Sequence, residues 1–241
     1  MTLVLLHGFT GSPASWDAVA AALGGPPPLR LALLGHGATD TDRVQTFEDE
    51  VARLASHLPP ERVHLAGYSL GARLALGVAL AYPERVERLT LVSGQAGLAS
   101  EFERNERRRA DGRWCSLLEQ LGVAAFVDAW EAQPLFATQS RLSHELRASR
   151  RSERLSHDPQ GLVRSLRVTG LAEMPHYAPR LGSLSMPVMV LAGELDPKFL
   201  ALGRDLAAAV PRGRFVVVPN AGHDLLLEAP DLVARELLRA I

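Results

Sequence analysis

Only one of the chain's 26 basic residues is a lysine, Lys198, and only one of its 241 residues is a cysteine, Cys115. A lone cysteine excludes a disulfide framework, and without a C-x-x-C partner it offers no thiolate metal site. A reducing, cytoplasmic setting is the expectation that follows. The lysine shortage reflects composition, so arginine abundance by itself carries no functional meaning. Neither sign of charge dominates: 26 basic and 27 acidic residues give a net charge of −1. Such a balance offers no global field to nucleic acid or to an anionic membrane. No apolar run reaches membrane-spanning length, and the opening "TLVLLHG" carries no basic leader or cleavage site, so neither membrane insertion nor export is expected. Internal repeats, low-complexity linkers and a glycine-rich phosphate loop are also missing.

What is there is a chain with 47% hydrophobic residues, enough for a large core in one domain with an insertion. Short apolar runs at 2–6, 29–34, 62–66, 88–93, 187–192 and 214–219 read as strands buried on both faces. Helical patterns separate them near 14–23, 46–58, 70–81, 200–209 and 230–240. This alternation predicts an α/β fold, a mostly parallel sheet of about six strands flanked by helices. The interval 98–181 breaks the rhythm, with helical pieces only and most of the arginine clusters. The expected division is therefore a core of 1–97 and 182–241, with a helical lid, 98–181, inserted late in the sheet over its carboxyl edge.

"GYSLG" (67–71) places Ser69 between a strand and a helix with glycine two residues to either side. Glycines there permit a strained turn that lifts the hydroxyl above the sheet edge, although a plain helix N-cap serine would satisfy the same five residues. The Leu70 N–H then lies at a helix N-terminus, where a developing oxyanion is favoured. A reactive hydroxyl needs a base, and the base needs an orienting carboxylate. Asp196 ends the strand in "PVMVLAGELD", and His223 follows the last strand in "VVVPNAGHD". All three residues follow strand carboxyl ends. "LLHGF" offers the Phe9 N–H as a second oxyanion donor. His7, just before the oxyanion loop, and His36, in a turn, are read as structural. His57, His64, His144, His157 and His176 lack the i,i+4 pairing of a metal site, so no metal and no cofactor are expected. Arg73 stands one helical turn beyond Ser69 on the same face, where a guanidinium can take a carboxylate in a bidentate grip. Its bland alternative is an arginine paired with an internal acid.

These residues, in the order Ser…Asp…His, resemble the α/β-hydrolase superfamily over essentially the whole chain, with the fold's usual first hairpin expected to be missing. "GYSLGARLAL", "NERRRADGRW", "FVDAWEAQPLF", "RLSHDPQGLVRSLRVTGLA" and "GELDPKF" resemble one branch, the 2-succinyl-6-hydroxy-2,4-cyclohexadiene-1-carboxylate (SHCHC) synthases of menaquinone (vitamin K2) biosynthesis. "DPKF" and the W-x-x-Q-P-x-F element discriminate best. "VSGQAGL" (92–98) is less glycine-rich than that branch's pattern. The resemblance implies a lyase that eliminates pyruvate from 2-succinyl-5-enolpyruvyl-6-hydroxy-3-cyclohexene-1-carboxylate by proton abstraction. It implies Ser69, Asp196 and His223 as catalytic residues, Phe9 and Leu70 as the oxyanion hole, and Tyr68, Arg73, Arg107, Trp130 and Arg154 as the substrate-binding set. Arg104, Arg108 and Arg109 crowd the Arg107 position, Arg150 or Arg151 takes the place of Arg154 under a shifted alignment, and Glu103 is placed to pair with Arg107.

The expected partner is a small polycarboxylate, with no nucleic acid, no membrane insertion, and a monomer or small homo-oligomer. Two other readings stand beside the lyase. A serine hydrolase of carboxylic esters or carbon–carbon bonds, with a small acidic substrate, shares the triad but does not need several substrate-facing arginines. A non-catalytic ligand-binding member of the fold often loses a triad residue, and none is lost here.

Overall fold

The computed structural model of the protein describes residues 1–38 and 40–239. Six strands, β1 (Leu3–Leu6), β2 (Leu29–Leu31), β3 (Val63–Tyr68), β4 (Val86–Val92), β5 (Val188–Gly193) and β6 (Gly213–Val218), form one sheet in the order β2-β1-β3-β4-β5-β6. Every neighbouring pair is parallel. The helices in chain order are α1 (Asp17–Leu23), α2 (Phe47–Ser56), α3 (Leu70–Ala81), α4 (Glu101–Glu131), α5 (His144–Leu155), α6 (Pro159–Thr169), α7 (Pro197–Ala208), α8 (Leu225–Glu228) and α9 (Pro230–Arg239). Residue 240, the last expected in the final helix, and residue 241, the end of the expected core, lie outside the described residues.

Side chains that alternate along a strand feed two cores, one on each face of the sheet. Val4, Leu6, Leu65 and Val190 join one apolar cluster with α2 and α3. Leu5, Ala66 and Leu191 join the other, with Val233 and Leu237 of α9. The reading of six strands buried on both faces needs correction at both edges. β2 is only half-buried and β6 exposes Gly213, Arg214 and Val217, because an outermost strand lacks one neighbour. β2 also stops at Leu31, short of the expected 34. Beyond Leu31, side chains take the backbone donors: the Leu33 N–H donates to His7 Nε2 at 3.3 Å and the Leu34 N–H to the buried Glu50 carboxylate at 2.9 Å.

From β1 the chain runs to β2 on one side and then crosses to β3 on the other. The loops after β1 and β3 therefore part, leaving a crevice at their carboxyl ends.

Among the described residues no strand lies between β4 and β5; α4, α5 and α6 fill that interval. α4 opens with a reciprocal cap between Ser100 and Glu103. Its helical course breaks at Gly122 (φ 78°, ψ −178°), between the two pieces read from the sequence. The insertion has its own apolar core of Leu118, Phe126, Val127, Trp130 and Leu162. α5 is unlike the rest, since its only buried residues are Arg150 and Arg154. Among the described residues, no helix is long and apolar enough to cross a membrane.

Candidate active site

The turn between β3 and α3 is pressed against the end of β1. A Cβ on Gly71 would stand 2.3 Å from the Leu6 carbonyl oxygen, and one on Gly67 would stand 2.2 Å from the Gly71 carbonyl oxygen. Neither position admits a side chain, which accounts for both glycines of "GYSLG". Ser69 between them holds φ 52° and ψ −105°, a strained conformation for a residue with a side chain. Its side chain makes no capping hydrogen bond to α3. It meets His223 instead, with 3.1 Å between Oγ and Nε2.

His223 Nδ1 lies 2.9 Å from Asp196 Oδ2, while Oδ1 of the same carboxylate accepts the Phe199 N–H that starts α7. With Nδ1–H donating to Asp196, Nε2 is left to accept the Ser69 hydroxyl proton. Both His223 and Asp196 are buried. The Ser93 hydroxyl donates to the His223 carbonyl at 2.8 Å, and the Phe199 ring centroid lies 4.4 Å from that of His223.

The "HGF" loop closes on this turn. A Cβ on Gly8 would lie 2.7 Å from the Tyr68 ring and 3.6 Å from Ser69 Cβ, so Phe9 is next to the serine. Leu70 is the first residue of α3, where backbone N–H groups have no partner within the helix.

Behind the loop, three imidazoles are packed edge to face. His36 lies 5.2 Å from His7 and 5.1 Å from His157. His36 Nε2 accepts the Thr10 N–H and His7 Nε2 accepts the Leu33 N–H. Burial holds His7 down to about 4 and His36 well below the ordinary imidazole value. Both are neutral braces for the backbone that carries Phe9.

A pocket of about 240 Å³ opens over Ser69 and His223. Ser69, Leu70, Tyr68, Arg73, Arg107, Trp130 and Arg154 all line it, together with Phe9. Asp196 stands behind His223. The pocket's arginines differ in what they face. Arg73 donates to the Thr169 carbonyl at 3.0 Å and, among the described residues, forms no ion pair. The internal acid weighed for it is thus not its partner. Burial and the nearby Arg107 pull its pKa down to about 9 against the opposing pull of Asp111, and the guanidinium is still charged at neutral pH. Arg107 pairs through Nε with Asp111 (2.9 and 3.0 Å). This corrects the expected Glu103–Arg107 pair, since Glu103 is committed to the Ser100 cap. Two cations therefore surround one carboxylate on this wall.

Arg154, nearly fully buried, shares the Glu131 carboxylate with Arg151 and lies 5.0 Å from the Phe136 ring centroid. Trp130 stacks on Phe126 at 5.3 Å in an aromatic wall with Phe9 and Trp114. Sequence reasoning did not single out Gln95, Trp114, Lys198 or Phe199, which also line the pocket. Lys198, Phe199 and Phe136 sit inside the "DPKF" and W-x-x-Q-P-x-F motifs, so the signal was present without a role attached to each residue. Among the described residues, no group of three or more His, Cys, Asp or Glu is placed to hold a metal ion.

The model of the alpha/beta hydrolase family matches residues 3–236. A Bacillus subtilis (strain 168) protein, provisionally named a 2-succinyl-6-hydroxy-2,4-cyclohexadiene-1-carboxylate synthase, is 37% identical over 239 residues, 97% of this chain and 87% of its own. The Salmonella agona (strain SL483) protein named for that synthase is 32% identical, with 100% of this chain and 93% of its own covered. Among solved structures, MenH from S. aureus superposes with a TM-score of 0.95 at 29% identity, covering 100% of this chain and 92% of that one.

Proposed function

The chain belongs to the α/β-hydrolase family, in the branch of the SHCHC synthases, and from that premise we propose that it is a lyase of menaquinone biosynthesis that forms SHCHC by eliminating pyruvate. The substrate proposed is the three-carboxylate 2-succinyl-5-enolpyruvyl-6-hydroxy-3-cyclohexene-1-carboxylate. In this reading Ser69, its proton drawn by His223 and that histidine oriented by Asp196, takes the ring proton α to the succinyl ketone. The carbon's electron pair passes into the ketone as an enolate, whose oxygen rests against the Phe9 and Leu70 N–H groups. The ring's double bonds shift, the bond to the enolpyruvyl oxygen breaks in a 1,4-elimination, and the released enol tautomerises to pyruvate. No acyl-enzyme forms, and the proton that Ser69 acquires returns to solvent through His223.

The observation that carries this reading is the Arg73–Arg107 wall, two cations around one carboxylate beside Ser69. A half-buried guanidinium with no ion pair of its own is held at a cost that an arriving anion would relieve. We propose that Arg73, Arg107 and Arg154 take the substrate carboxylates, with Tyr68 and Trp130 against the ring, and that the 98–181 insertion is the lid. A simple ester hydrolase would use the same Ser69–His223–Asp196 geometry without needing that wall.

The test uses substrate generated in situ, following diene absorbance while released pyruvate is coupled to lactate dehydrogenase. Diene and pyruvate appearing together, and lost in Ser69→Ala, are the expected result. No diene above the spontaneous rate would overturn the lyase reading and turn attention to acidic esters.

A further inference from the structure

The only buried residues of α5 are arginines, and one of them, Arg150, lines the pocket beside Arg154 yet has no part in the chemistry proposed for it. Its guanidinium donates to Glu153 Oε2 at 2.6 Å and to Ser15 Oγ at 2.9 Å, and it lies 3.3 Å from Asp224 Oδ2. Glu153 in turn gathers the loop after β1. Its Oε1 accepts the Ser12 N–H (2.9 Å), the Ser12 hydroxyl (2.6 Å) and the Ser15 hydroxyl (2.7 Å).

Ser12 belongs to the loop that carries Phe9, and Asp224 follows His223 in the chain. One pair of side chains on the insertion thus grips two core loops at once, those holding an oxyanion amide and the base. The pair is mostly out of solvent, with side-chain exposure of 8% for Arg150, 16% for Glu153 and 3% for Asp224. Burial opposes both charges, yet Arg150 and the serine hydroxyls hold the Glu153 carboxyl below its ordinary range, and Asp224 and Glu153 hold Arg150 fully charged. The contrast with Arg73 decides the role. Arg150 already faces two carboxylates, so an incoming anion finds no spare positive charge there. The nearby imidazoles of His7, buried, and His157, half-buried, are both depressed by desolvation and supply no cation at neutral pH.

We propose that Glu153 and Arg150 are positioning residues, a latch through which the insertion fixes the Phe9 loop and the His223 loop relative to each other. Both act through the loops they hold, since the Arg150 guanidinium is already committed to Glu153, Ser15 and Asp224. The inference rests on the reading of Ser69 and His223 as the reacting pair, but its first test does not require any turnover.

Hydrogen–deuterium exchange on the full, substrate-free chain would compare wild type with Glu153→Leu, Glu153→Gln and Asp224→Asn, following residues 8–16, 144–155 and 221–228. In Glu153→Leu all three segments should exchange faster while β3 and β4 do not change. Glu153→Gln, whose amide oxygen can still accept from Ser12 and Ser15, should restore protection of 8–16 and fall between the two. Asp224→Asn should loosen 144–155 and 221–228 and spare 8–16. In the pyruvate assay, Glu153→Leu should lower kcat about ten-fold with KM within about two-fold, as for loosened geometry rather than lost binding.

Faster exchange confined to 144–155, or an unchanged kcat at saturating substrate, would overturn the latch and leave these bonds as stitching within the fold. Should Glu153→Leu fail to fold, the Gln and Asn variants decide between the same outcomes. If the wild-type protein makes no diene, the lyase reading falls, and the exchange pattern still decides the latch.

Discussion

Ser69 and Arg154 face the same pocket from opposite walls, and they are held there by different means. Ser69 is placed by backbone: two glycines that admit no Cβ, a strained turn, and strands whose order parts the loops around it. Arg154 is placed by side chains, through Glu131 and the Phe136 ring, on a helix with no buried aliphatic residue. The sheet wall is thus set by close contacts that a small motif encodes. The insertion wall is set by ion pairs between segments distant in sequence. Such pairs can be exchanged one residue at a time, so the two walls should differ in what a substitution costs.

The largest effect belongs to the sheet wall. Ser69→Ala removes the proposed base and should lower kcat by about 10³-fold in the pyruvate-coupled assay. Its melting temperature should stay near that of the wild type, since the strained turn is kept. A residual rate within ten-fold of wild type would assign the proton transfer to another group.

Arg73 joins the two walls, being carried by the sheet-side α3 while facing α4 and α6. Arg73→Ala should reduce kcat/KM for the tricarboxylate by about 10²-fold, the scale of a lost charge-assisted contact, and leave turnover of a neutral aryl ester unchanged. Arg73→Lys should recover only part, because an ammonium cannot fork. Arg107→Ala should cost nearly as much, for a different reason. It frees Asp111, which then pairs with Arg73 and cancels the remaining charge. The double variant Arg107→Ala with Asp111→Asn should therefore bind anions better than Arg107→Ala alone. Equal KM values for the two would break this account of the wall.

These effects also explain what could be read in advance. The strands, the serine turn and the order Ser69, Asp196, His223 were legible because hydrophobic period, glycine spacing and chain order are local signals. Arg73 was legible for the same reason, one helical turn from Ser69. The arginines of the insertion were not. Arg104, Arg107, Arg108 and Arg109 are equivalent as sequence, yet Arg104 ends on the Ala172 and Met174 carbonyls, Arg107 on Asp111, and Arg108 on Glu101 and Glu173. Packing of α4 against the segment after α6 draws Arg104 and Arg108 away to Ala172, Met174 and Glu173, and leaves Arg107 to pair with Asp111 on its own helix. Likewise Arg150 and Arg154, one turn apart, both buried and both lining the pocket, differ only in the acids opposite them, Glu153 and Asp224 for the one and Glu131 for the other.

A smaller effect concerns the seam between the walls. His7 is neutral in the fold with its pKa lowered to about 4, against 6.5 for an unperturbed imidazole. As pH falls from about 6.5 towards 4, the unfolded chain takes up this proton first, so folding stability is lost across that window and is fully present above it. The loss is bounded by the size of the shift, at about 3 kcal/mol. His36 and His157, also depressed by burial, should steepen the same fall. Melting curves between pH 7 and 4 would show it, and His7→Gln should flatten the slope. An unchanged slope would place the acid sensitivity elsewhere.

The smallest effect closes the comparison within a single helix. Arg109 lies two residues beyond Arg107 on α4 and has its own acidic neighbour, Glu106, yet its side chain is 71% exposed and Glu106 is 52% exposed. Exposed pairs at this spacing contribute little, because water screens the charges and two long side chains lose freedom in meeting. Arg109→Ala should therefore shift neither KM for the tricarboxylate nor the melting temperature beyond about 1 °C. Measured beside Arg107→Ala, it separates charge facing the pocket from charge facing solvent on the same turn of helix. A KM rise in Arg109→Ala matching that of Arg107→Ala would mean that the helix acts through its general field, and the specific wall around Asp111 would lose its claim.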